Sequence, residues 1–388
     1  MVPKSAEVVI VGAGAIGCSI AYHLTKRGQR DVVVLDRSTI GAGSTSKAAG
    51  GIRAQFATDV EIRFSLESIE FFMRFKDEMG AEIRYVQDGY LFVVTNPDTL
   101  AKYRRNVAFQ NTYGVPSRII SPDEVRELAP GIEIGDVLAG VWCPTDGHAT
   151  PNDVCMAYAA RAREHGARFI EETAVTGMRK QGARTLVETT DGTIDTPLVI
   201  NASGPNAAPV AHMLGVEIPV RPMRRHIFVT EEFAGIRHPL PLVTDTGSGF
   251  YVRSEGRTLL MSPGDAEDVA SYDDVPVDWG ALEQTVEKGV RRFPILEQAA
   301  VRNAWAGLRP LTPDQHAILD WLPGVEGVFA AVGFCGHGFQ HSPAAGRFVS
   351  EWLLDGAPSL DLAPLSFRRF EGMSADVAPT SVLSGVDR

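Results

Sequence analysis

The feature that most constrains the fold is the segment VVIVGAGAIG at residues 8–17, followed by a second apolar run, VVVLD, that ends at Asp36. The continuous β-branched residues of the first run predict a buried parallel strand. After the glycines, CSIAYHLTK places apolar residues at helical spacing up to Gly28, a position suited to a helix C-cap. Strand, glycine turn, helix, strand and acid, in that order, form the dinucleotide-binding fingerprint in its structural context. The chain is therefore predicted to be an α/β protein with a Rossmann-like domain.

Each position of the G-x-G-x-x-G motif has its own physical role. Gly12 makes the tight turn, Gly14 lets a pyrophosphate approach the backbone, and Gly17 allows the helix to pack on the strand. The helix N-terminus attracts the phosphate charge, and Asp36 is placed to accept hydrogen bonds from the adenosine ribose. An acid at this position, rather than an arginine, disfavours a 2′-phosphate. The motif alone leaves NAD and FAD as open alternatives.

Composition and charge restrict the partners. The chain has 388 residues, enough for about two domains, and a net charge of −11, which argues against nucleic acid and anionic membrane surfaces. Its four cysteines are scattered without a C-x-x-C pair, so the sequence predicts neither a disulfide scaffold nor a metal site. The apolar N-terminal stretch is shorter than the roughly 20 residues of a spanning helix and lacks the basic n-region of a signal peptide. We therefore expect a cytoplasmic protein without a transmembrane segment.

A long loop of small residues, 41–51, follows the second strand and is called here the early loop. A loop of this length within a compact domain is usually functional. Its backbone N–H groups and the hydroxyls of Ser44, Thr45 and Ser46 suit a pyrophosphate and a flat ring. An NAD-binding domain would instead continue with another helix and strand, so the early loop favours FAD.

Segments spread over roughly residues 6–372 resemble one known family. They are VVIVGAGAIG with VVVLD, GSTSKAAGGIRAQF, PNDVCMAYAARAREHGARF after DGHATP, LVINASGPNA, WAGLRPLTPD and GFCGHGFQHSPAAG. In this order they resemble the D-amino acid oxidase superfamily of FAD-dependent amine oxidoreductases. Within it, the chain is most similar to sarcosine oxidase β-subunits, dimethylglycine dehydrogenase, glycine oxidase and β-type proline dehydrogenases.

The resemblance implies a particular domain organisation. A discontinuous FAD-binding domain of the glutathione-reductase type would carry an inserted substrate-binding domain with a mixed or antiparallel sheet. The FAD-binding domain would comprise residues 1–84, 140–215 and 301–372. The substrate-binding domain would comprise residues 85–139 and 216–300, and residues 373–388 would form a flexible tail.

The resemblance also implies which residues contact the FAD. They are Gly12, Gly14, Ala15, Ile16, Gly17, Asp36, Arg37, Ser44, Thr45, Ser46, Lys47, Ala49, Gly50, Gly51, Val175, Ala202, Ser203, Gly204, Gly307, Arg309, Gly333, Gly336, His337, Gly338, Phe339 and Gln340. In this family the late glycine loop, residues 333–338 here, lies against the isoalloxazine end of the cofactor. Backbone N–H groups there would stabilise negative charge on the polar edge of the ring.

Four side chains match family positions near the substrate. Arg309 resembles the arginine that binds the substrate carboxylate in glycine and D-amino acid oxidases, because a guanidinium forms two parallel hydrogen bonds to a carboxylate. Arg53 resembles an arginine near the flavin ring in sarcosine oxidases, with a structural role in the loop as the alternative. Tyr251 matches a tyrosine of the substrate cavity, with core packing as the alternative. His337 lies within the late glycine loop, where a helix-capping role is equally compatible.

The sequence departs from the family pattern at several positions. Gly307 stands where monomeric sarcosine oxidases carry a flavin-linked cysteine, and Lys47 where dimethylglycine dehydrogenase carries a flavin-linked histidine, so we expect non-covalent FAD. Gln340 replaces a carboxylate-binding lysine of monomeric sarcosine oxidase, which shifts carboxylate binding toward Arg309. The lysine that activates oxygen in that enzyme falls near residues 260–261, an apolar pair here. Oxidase and dehydrogenase activity are therefore both open.

The predicted function is FAD-dependent oxidation of a small secondary or N-substituted amino acid, such as sarcosine, dimethylglycine, proline or an iminodiacetate-like amine. Hydride would pass from the C–H next to nitrogen to flavin N5, and the imine would then hydrolyse or, for proline, stay cyclic. O2, a quinone or a partner protein would accept the electrons. Three alternatives stay open: a glycine or D-amino acid oxidase acting on a primary amine, a non-catalytic flavin-binding β-subunit of a hetero-oligomer, and an NAD-dependent dehydrogenase. The sequence leaves partner subunits and a homo-oligomer open as well.

Local patterns predict several further elements. RYVQDGYLFVVT at residues 84–95 is typical of a strand hairpin with a DG turn. A helix is expected at about 97–111, and a second one after Ser121, which is a suitable N-cap followed by proline. The helix after the late glycine loop is expected to begin at about Pro343.

Overall fold

The structure is a computed structural model that describes residues 1–268 and 275–371. The tail predicted at 373–388 lies outside the described residues. Two large sheets form opposite sides of one cavity. Among the described helices, none is long and apolar enough to cross a lipid bilayer.

The secondary structure follows the chain in this order. The strands are β1 (Val8–Val11), β2 (Val32–Leu35), β3 (Gly51–Ile52), β4 (Tyr90–Val94), β5 (Arg118–Ile120), β6 (Ala139–Cys143), β7 (Gly147–His148), β8 (Arg168–Ile170), β9 (Val175–Gln181), β10 (Arg184–Thr189), β11 (Gly192–Thr196), β12 (Leu198–Asn201), β13 (Arg221–Thr230), β14 (Leu242–Asp245), β15 (Tyr251–Glu255), β16 (Thr258–Ser262), β17 (Asp265–Asp268), β18 (Val301–Leu311), β19 (Ile318–Trp321) and β20 (Val328–Val332). The α-helices are α1 (Ala15–Lys26), α2 (Asp59–Met73), α3 (Phe75–Met79), α4 (Pro97–Thr112), α5 (Pro122–Leu128), α6 (Pro151–Glu164), α7 (Ala207–His212), α8 (Gly280–Arg292) and α9 (Gly338–Asp355). Short 3₁₀ helices cover Gly204–Asn206, Pro294–Gln298, Ala363–Leu365 and Phe367–Phe370.

The first large sheet has six strands in the order β19-β20-β12-β1-β2-β8. The five strands from β20 to β8 are parallel, and β19 joins the edge in the antiparallel sense. Every residue of β1 and β2 is buried, as the continuous β-branched runs predict for a parallel sheet covered on both faces. Helix α1 packs against both α6 and α9 on this sheet. The predicted strand, turn, helix and strand of the fingerprint are confirmed.

Helix α9 begins at Gly338, so the predicted start at Pro343 is wrong. Pro343 lies inside the helix, where it has no N–H to donate to the carbonyl oxygen of Phe339. The Ser342 hydroxyl donates to that oxygen instead, at 2.8 Å. The hydroxyl of Ser19 on α1 in turn donates to the Ser342 carbonyl oxygen at 2.7 Å, which ties the two helices together.

The second large sheet has nine strands in the order β17-β13-β16-β15-β14-β4-β6-β5, with β18 paired to the other edge of β13. Only the β14–β4 pair is parallel among the pairings described, so the sheet is mixed. One face buries an apolar cluster that includes Val243, Val252 and Phe293. The opposite face contributes Leu242, Thr244 and other side chains to the wall of the cavity.

The predicted hairpin at 84–95 is wrong. Within it only β4 is a strand, and β4 pairs with β14 and β6, which are distant in sequence. Val86 makes an isolated bridge to His148 rather than pairing with β4. The predicted helices are confirmed as α4 and α5, and Ser121 caps α5 through reciprocal bonds with Glu124.

One strand crosses the predicted domain boundary at residue 140, and another begins at the boundary at residue 301. Strand β6 contains the first boundary, and β18 begins at the second, yet both pair within the nine-stranded sheet. Strand β18 belongs to this sheet because it pairs antiparallel with β13 along its whole length, from Leu311 to Val301. The domain assignment stays a prediction.

A buried ion-pair network fixes α8 to the nine-stranded sheet. The Arg292 side chain is 2% exposed, and its Nε and one Nη donate to Asp245 Oδ2 at 3.0 and 2.8 Å. The other Nη donates to Asp136 Oδ1 at 2.8 Å and to the Glu133 carbonyl oxygen at 2.7 Å. Removal of the guanidinium would therefore leave the Asp245 carboxylate buried without its cation.

We predict that Arg292→Met lowers the free energy of unfolding by about 3–5 kcal/mol, because one buried charge loses its partner. Arg291→Met is the matched control, since the neighbouring Arg291 side chain is 76% exposed and lies 3.7 Å from Asp136. That change should cost less than about 1 kcal/mol. Urea-unfolding midpoints measure both, and equal losses for the two variants would contradict the role assigned to the buried pair.

Candidate active site

A cavity of about 1010 Å³ lies between the two large sheets. Val11, Leu35 and Val332, at the carboxyl ends of three parallel strands, form part of its wall. Open α/β sheets bind ligands outside the carboxyl ends of their strands. All of the predicted site residues line this cavity except Gly17 and Ser46.

Gly17 and Ser46 are placed elsewhere. A side chain at Gly17 would collide with the Gly12 carbonyl oxygen, so Gly17 serves the close packing of helix on turn. The Ser46 hydroxyl donates to the Ala42 carbonyl oxygen at 2.9 Å, within the early loop. As direct cofactor contacts, these two positions are not supported by the geometry.

The first turn of the fingerprint requires glycine at position 12. Gly12 has φ +109°, and a Cβ there would lie 2.5 Å from the Ala202 carbonyl oxygen and 2.9 Å from Ser203 Cα. The turn therefore passes directly against the segment that follows β12. Both segments contribute to the cavity wall, which places bare backbone where a diphosphate could approach.

Asp36 stands in the cavity wall just after β2. Its carboxylate accepts from the Ala13 N–H at 2.8 Å and from the Ser38 N–H at 2.9 Å. Burial raises the pKa of Asp36, while these two amide hydrogen bonds act in the opposite direction. The amides fix the orientation of the carboxylate, which has further lone pairs for ribose hydroxyls.

Four hydrogen bonds help to hold the early loop in place. Thr45 Oγ1 accepts from the Ala15 N–H at 3.0 Å, and the Ser44 hydroxyl donates to the Leu308 carbonyl oxygen at 2.5 Å. From the nine-stranded sheet, Arg253 donates through Nε and Nη to the Ala49 carbonyl oxygen at 2.9 and 2.7 Å. The loop is thus fixed between both sheets. Sequence reasoning missed Arg253, which lies in β15 (YVRSE) with no local motif around it.

Lys47 and Gly307 meet across the cavity wall. A Cβ at position 307 would lie 2.5 Å from Lys47 Cβ, and the Trp305 indole donates to the Lys47 carbonyl oxygen at 3.1 Å. The lysine stem therefore fills the space that a side chain at position 307 would need. This packing is compatible with a cofactor that is not covalently linked at either position.

The late glycine loop is shaped around Arg309. Gly333, Cys335 and Gly336 have φ values of +70°, +50° and +87°. The Arg309 guanidinium occupies the space of a Cβ at Gly336, and it donates to the Cys335 carbonyl oxygen at 2.5 Å. Only a glycine at position 336 leaves the guanidinium this space. Arg309 is therefore held at the cavity wall in one orientation.

Arg53, His337 and Gln340 form a connected group beside that loop. The Arg53 N–H donates to Gln340 Oε1 at 3.1 Å, and an Arg53 Nη lies 3.3 Å from His337 Nε2. The Arg53 guanidinium also lies over the Phe56 ring, 3.9 Å from its centroid, and donates to the Gln55 carbonyl oxygen. Burial, and next the charge of Arg53, lowers the pKa of His337 well below its usual range. His337 is therefore a neutral imidazole that accepts from Arg53.

The nine-stranded sheet supplies the far wall of the cavity. Tyr251 is buried there, packed with Ile227 and Leu242, and burial raises the pKa of its hydroxyl. The Thr244 hydroxyl lies 3.4 Å from the Tyr90 hydroxyl oxygen. Sequence reasoning named Tyr251 but missed the neighbouring polar side chains. Which face each strand presents depends on its pairing, and these pairings join residues far apart in sequence.

The cavity has the features that FAD requires. Helices α1 and α9 both begin in its wall, and neither has a side-chain hydrogen bond at its N-cap. Each helix therefore directs the positive end of its dipole to the same space. In α1 the Ala15 N–H already donates to Thr45 Oγ1. Helix α1 suits a diphosphate, and α9 suits the electron-rich edge of a flavin ring. The volume lies at the upper end of the roughly 300–1,000 Å³ of ligand pockets, which leaves room for a substrate beside a large cofactor.

Comparison with known proteins identifies the class of this chain. A sequence model of the DAO family, described as FAD dependent oxidoreductase, matches residues 7–352. Human mitochondrial sarcosine dehydrogenase is 31% identical over 389 residues, which cover 96% of this chain and 42% of that protein. The crystal structure of L-proline dehydrogenase from P. horikoshii superimposes with a TM-score of 0.88 at 30% identity, covering 95% of this chain and 99% of that one. Glycine oxidase from Geobacillus kaustophilus superimposes with a TM-score of 0.85 at 27% identity, covering 95% and 99% of the two chains.

The chain belongs to the DAO family of FAD-dependent oxidoreductases. FAD is therefore the cofactor that the cavity serves, and the predicted resemblance and mixed α/β fold are confirmed. The chain spans less than half the length of the sarcosine dehydrogenase that it matches.

We predict that Gly12→Ala abolishes FAD retention, because the new methyl group meets the Ala202 carbonyl oxygen in the turn beneath the diphosphate. Gly28→Ala is the matched control. Gly28 also has a positive φ, +93°, but a Cβ there has no neighbour within 4 Å. Both variants carry a backbone strain of about 1 kcal/mol. The ratio of flavin to protein absorbance in the purified proteins should fall only for Gly12→Ala, and full flavin content in that variant would contradict the assignment.

Proposed function

We propose that this protein catalyses the FAD-dependent oxidation of a small secondary or N-substituted amino acid. The observation that carries the proposal is Arg309, which lies at the cavity wall with its guanidinium against Gly336 of the late glycine loop. A guanidinium is planar and matches the geometry of a carboxylate. Relatives named for sarcosine, dimethylglycine and L-proline support a substrate whose amino group carries a carbon substituent.

Positioning is the main task of the side chains in this proposal. Arg309 would bind the substrate carboxylate, and Tyr251 and Thr244 would contact the rest of the molecule from the nine-stranded sheet. Bound FAD would supply the oxidation by accepting hydride from the C–H next to nitrogen, and the resulting imine would hydrolyse or stay cyclic. Orientation of this kind contributes most of the rate when one reacting bond must be aligned.

The group around Arg53 would act as a support for the site. Arg53 is 6% exposed and has partners in the loop, in the Phe56 ring and in His337. A guanidinium so enclosed would orient α9 and contribute a fixed positive charge near the flavin end of the cavity. Gln340 on α9 would hold the segment at Arg53 through its amide, since it lies within hydrogen-bond distance of the Arg53 backbone.

The two large sheets would bind different ligands, one the cofactor and the other the substrate. The six-stranded sheet would form the FAD-binding part, of the glutathione-reductase type, and the nine-stranded sheet the inserted substrate-binding part. FAD would be bound non-covalently. Lys47 and Gly307, which pack against each other in the cavity wall, provide neither a cysteine nor a histidine for a covalent link. Leu260 lies in the apolar cluster with Tyr251. Residues 260–261 match the position of the oxygen-activating lysine, and both are apolar here. O2, a quinone and a partner protein therefore all remain candidates as electron acceptor.

We predict that Arg309→Gln lowers kcat/KM for the best amine substrate by roughly 100-fold, because the carboxylate loses a charged bidentate partner. Arg309→Lys should give an intermediate loss, since it keeps the charge but not the planar fork. Flavin content should be preserved in both variants. Steady-state kinetics with sarcosine, dimethylglycine, L-proline, glycine and D-alanine measure the effect.

Arg302→Gln is the control for that experiment. Arg302 lies on the same strand, β18, but it is exposed and does not line the cavity. Its removal should leave kcat/KM within about twofold of the wild-type value. A wild-type rate in Arg309→Gln, or an equal loss in Arg302→Gln, would remove the main support for the proposal. A preference for glycine or D-alanine would favour oxidation of a primary amine instead.

A further inference from the structure

A second arginine faces the cavity beside Arg309. Arg225 on β13 lies directly opposite Gly307 on β18, and both residues line the cavity. Because Gly307 and Arg309 are two residues apart on one strand, Arg225 and Arg309 share a face of the sheet as diagonal neighbours. Such positions place Cβ atoms roughly 7 Å apart, within reach of two long side chains that bind one small molecule.

Tyr251 helps to position the second arginine. The Arg225 guanidinium lies over the Tyr251 ring, 5.4 Å from its centroid. Tyr251 is itself 6% exposed and held in an apolar cluster. A cation held against a buried aromatic ring keeps its hydrogen-bond donors at the ring edge. Arg225 can therefore take an anionic ligand group in addition to the contacts it already makes.

The charges of the cavity wall favour more than one anionic group. Of the lining residues in the described part of the chain, the basic ones are Arg37, Lys47, Arg53, Arg225 and Arg309, and Asp36 is the one acid. Asp36 belongs to the nucleotide end, next to the fingerprint. Arg225 and Arg309 thus give the substrate end two guanidinium groups, one for each of two carboxylates.

We propose that Arg225 forms a second carboxylate site, which makes the preferred substrate a dicarboxylic secondary amine with one carboxylate on the nitrogen substituent. The inference rests on the proposed function and extends it. Arg309 would bind the carboxylate of the amino acid itself. Arg225, with Tyr251 behind it, would bind the carboxylate at the other end, so that the C–H next to nitrogen lies between the two.

Binding tests this proposal without turnover. Thiodiacetate and (methylthio)acetate carry sulfur in place of nitrogen, so neither is an amine, and they differ in the second carboxylate. We expect calorimetry of the FAD-loaded wild-type protein to show thiodiacetate binding at least about 10-fold more tightly, as a charged hydrogen-bonded pair provides. Arg225→Gln should remove most of this preference, and Arg225→Lys should retain part of it.

Arg224→Gln is the matched control. Arg224 precedes Arg225 on the same strand, does not line the cavity and lies 3.7 Å from Asp278. It should keep the full preference for the dicarboxylate. Equal affinity of the wild-type protein for the two thioethers would overturn the proposal whether or not the variants fold. Retention of the preference in Arg225→Gln would do the same.

A parallel kinetic comparison separates this inference from the proposed function. Wild-type kcat/KM for iminodiacetate should exceed that for its monoamide and for sarcosine by at least about 10-fold. If sarcosine is oxidised as efficiently as iminodiacetate, the second carboxylate site is contradicted while amine oxidation stands. If no amine is oxidised, the proposed function fails, and the thioether binding still decides whether Arg225 recognises a second carboxylate.

Discussion

The active site depends on hydrogen bonds that dock one sheet onto the loops of the other. The Ser44 hydroxyl reaches the Leu308 carbonyl oxygen, Arg253 reaches the Ala49 carbonyl oxygen, and Arg309 reaches the Cys335 carbonyl oxygen. Each contact joins the nine-stranded sheet to the early loop or the late glycine loop of the six-stranded layer. At Ala49 and Cys335 the acceptor is a carbonyl of the loop itself, so these contacts fix the path of the loop backbone. The cavity between the layers therefore has a shape set before any ligand enters.

Much of the nucleotide end could be predicted from sequence because its signals are local. A buried strand, three glycines, a helix and Asp36 follow one another within a single unit, and the structure places them as expected. The late glycine loop was also found, although its helix was predicted to begin at Pro343. Proline is common in the first turn of a helix, and the sequence does not show that the Ser342 hydroxyl satisfies the carbonyl that Pro343 leaves open.

The substrate end was less predictable because it is built by pairings between distant strands. Arg225 reaches the cavity only because β13 pairs with β18 in a register that sets it opposite Gly307. The hairpin predicted at 84–95 is wrong for the same reason. The DG turn favours a local hairpin, but β4 pairs instead with β6 and β14, which are distant in sequence. Arg309 and Tyr251 were found through a family resemblance, and Arg253 by neither route. Local propensity predicts whether a segment forms a strand or a helix. The register in which distant strands pair decides which side chains meet.

We propose that this cavity binds FAD and presents it to a secondary or N-substituted amino acid. The most direct measurement is the visible spectrum of the purified chain under nitrogen, before and after addition of sarcosine, dimethylglycine, iminodiacetate, L-proline, glycine or D-alanine. We expect a yellow protein whose flavin absorbance bleaches with a secondary or tertiary amine and more slowly or not at all with the primary amines. A flavin spectrum that no member of this panel changes, or a colourless protein, would contradict the account.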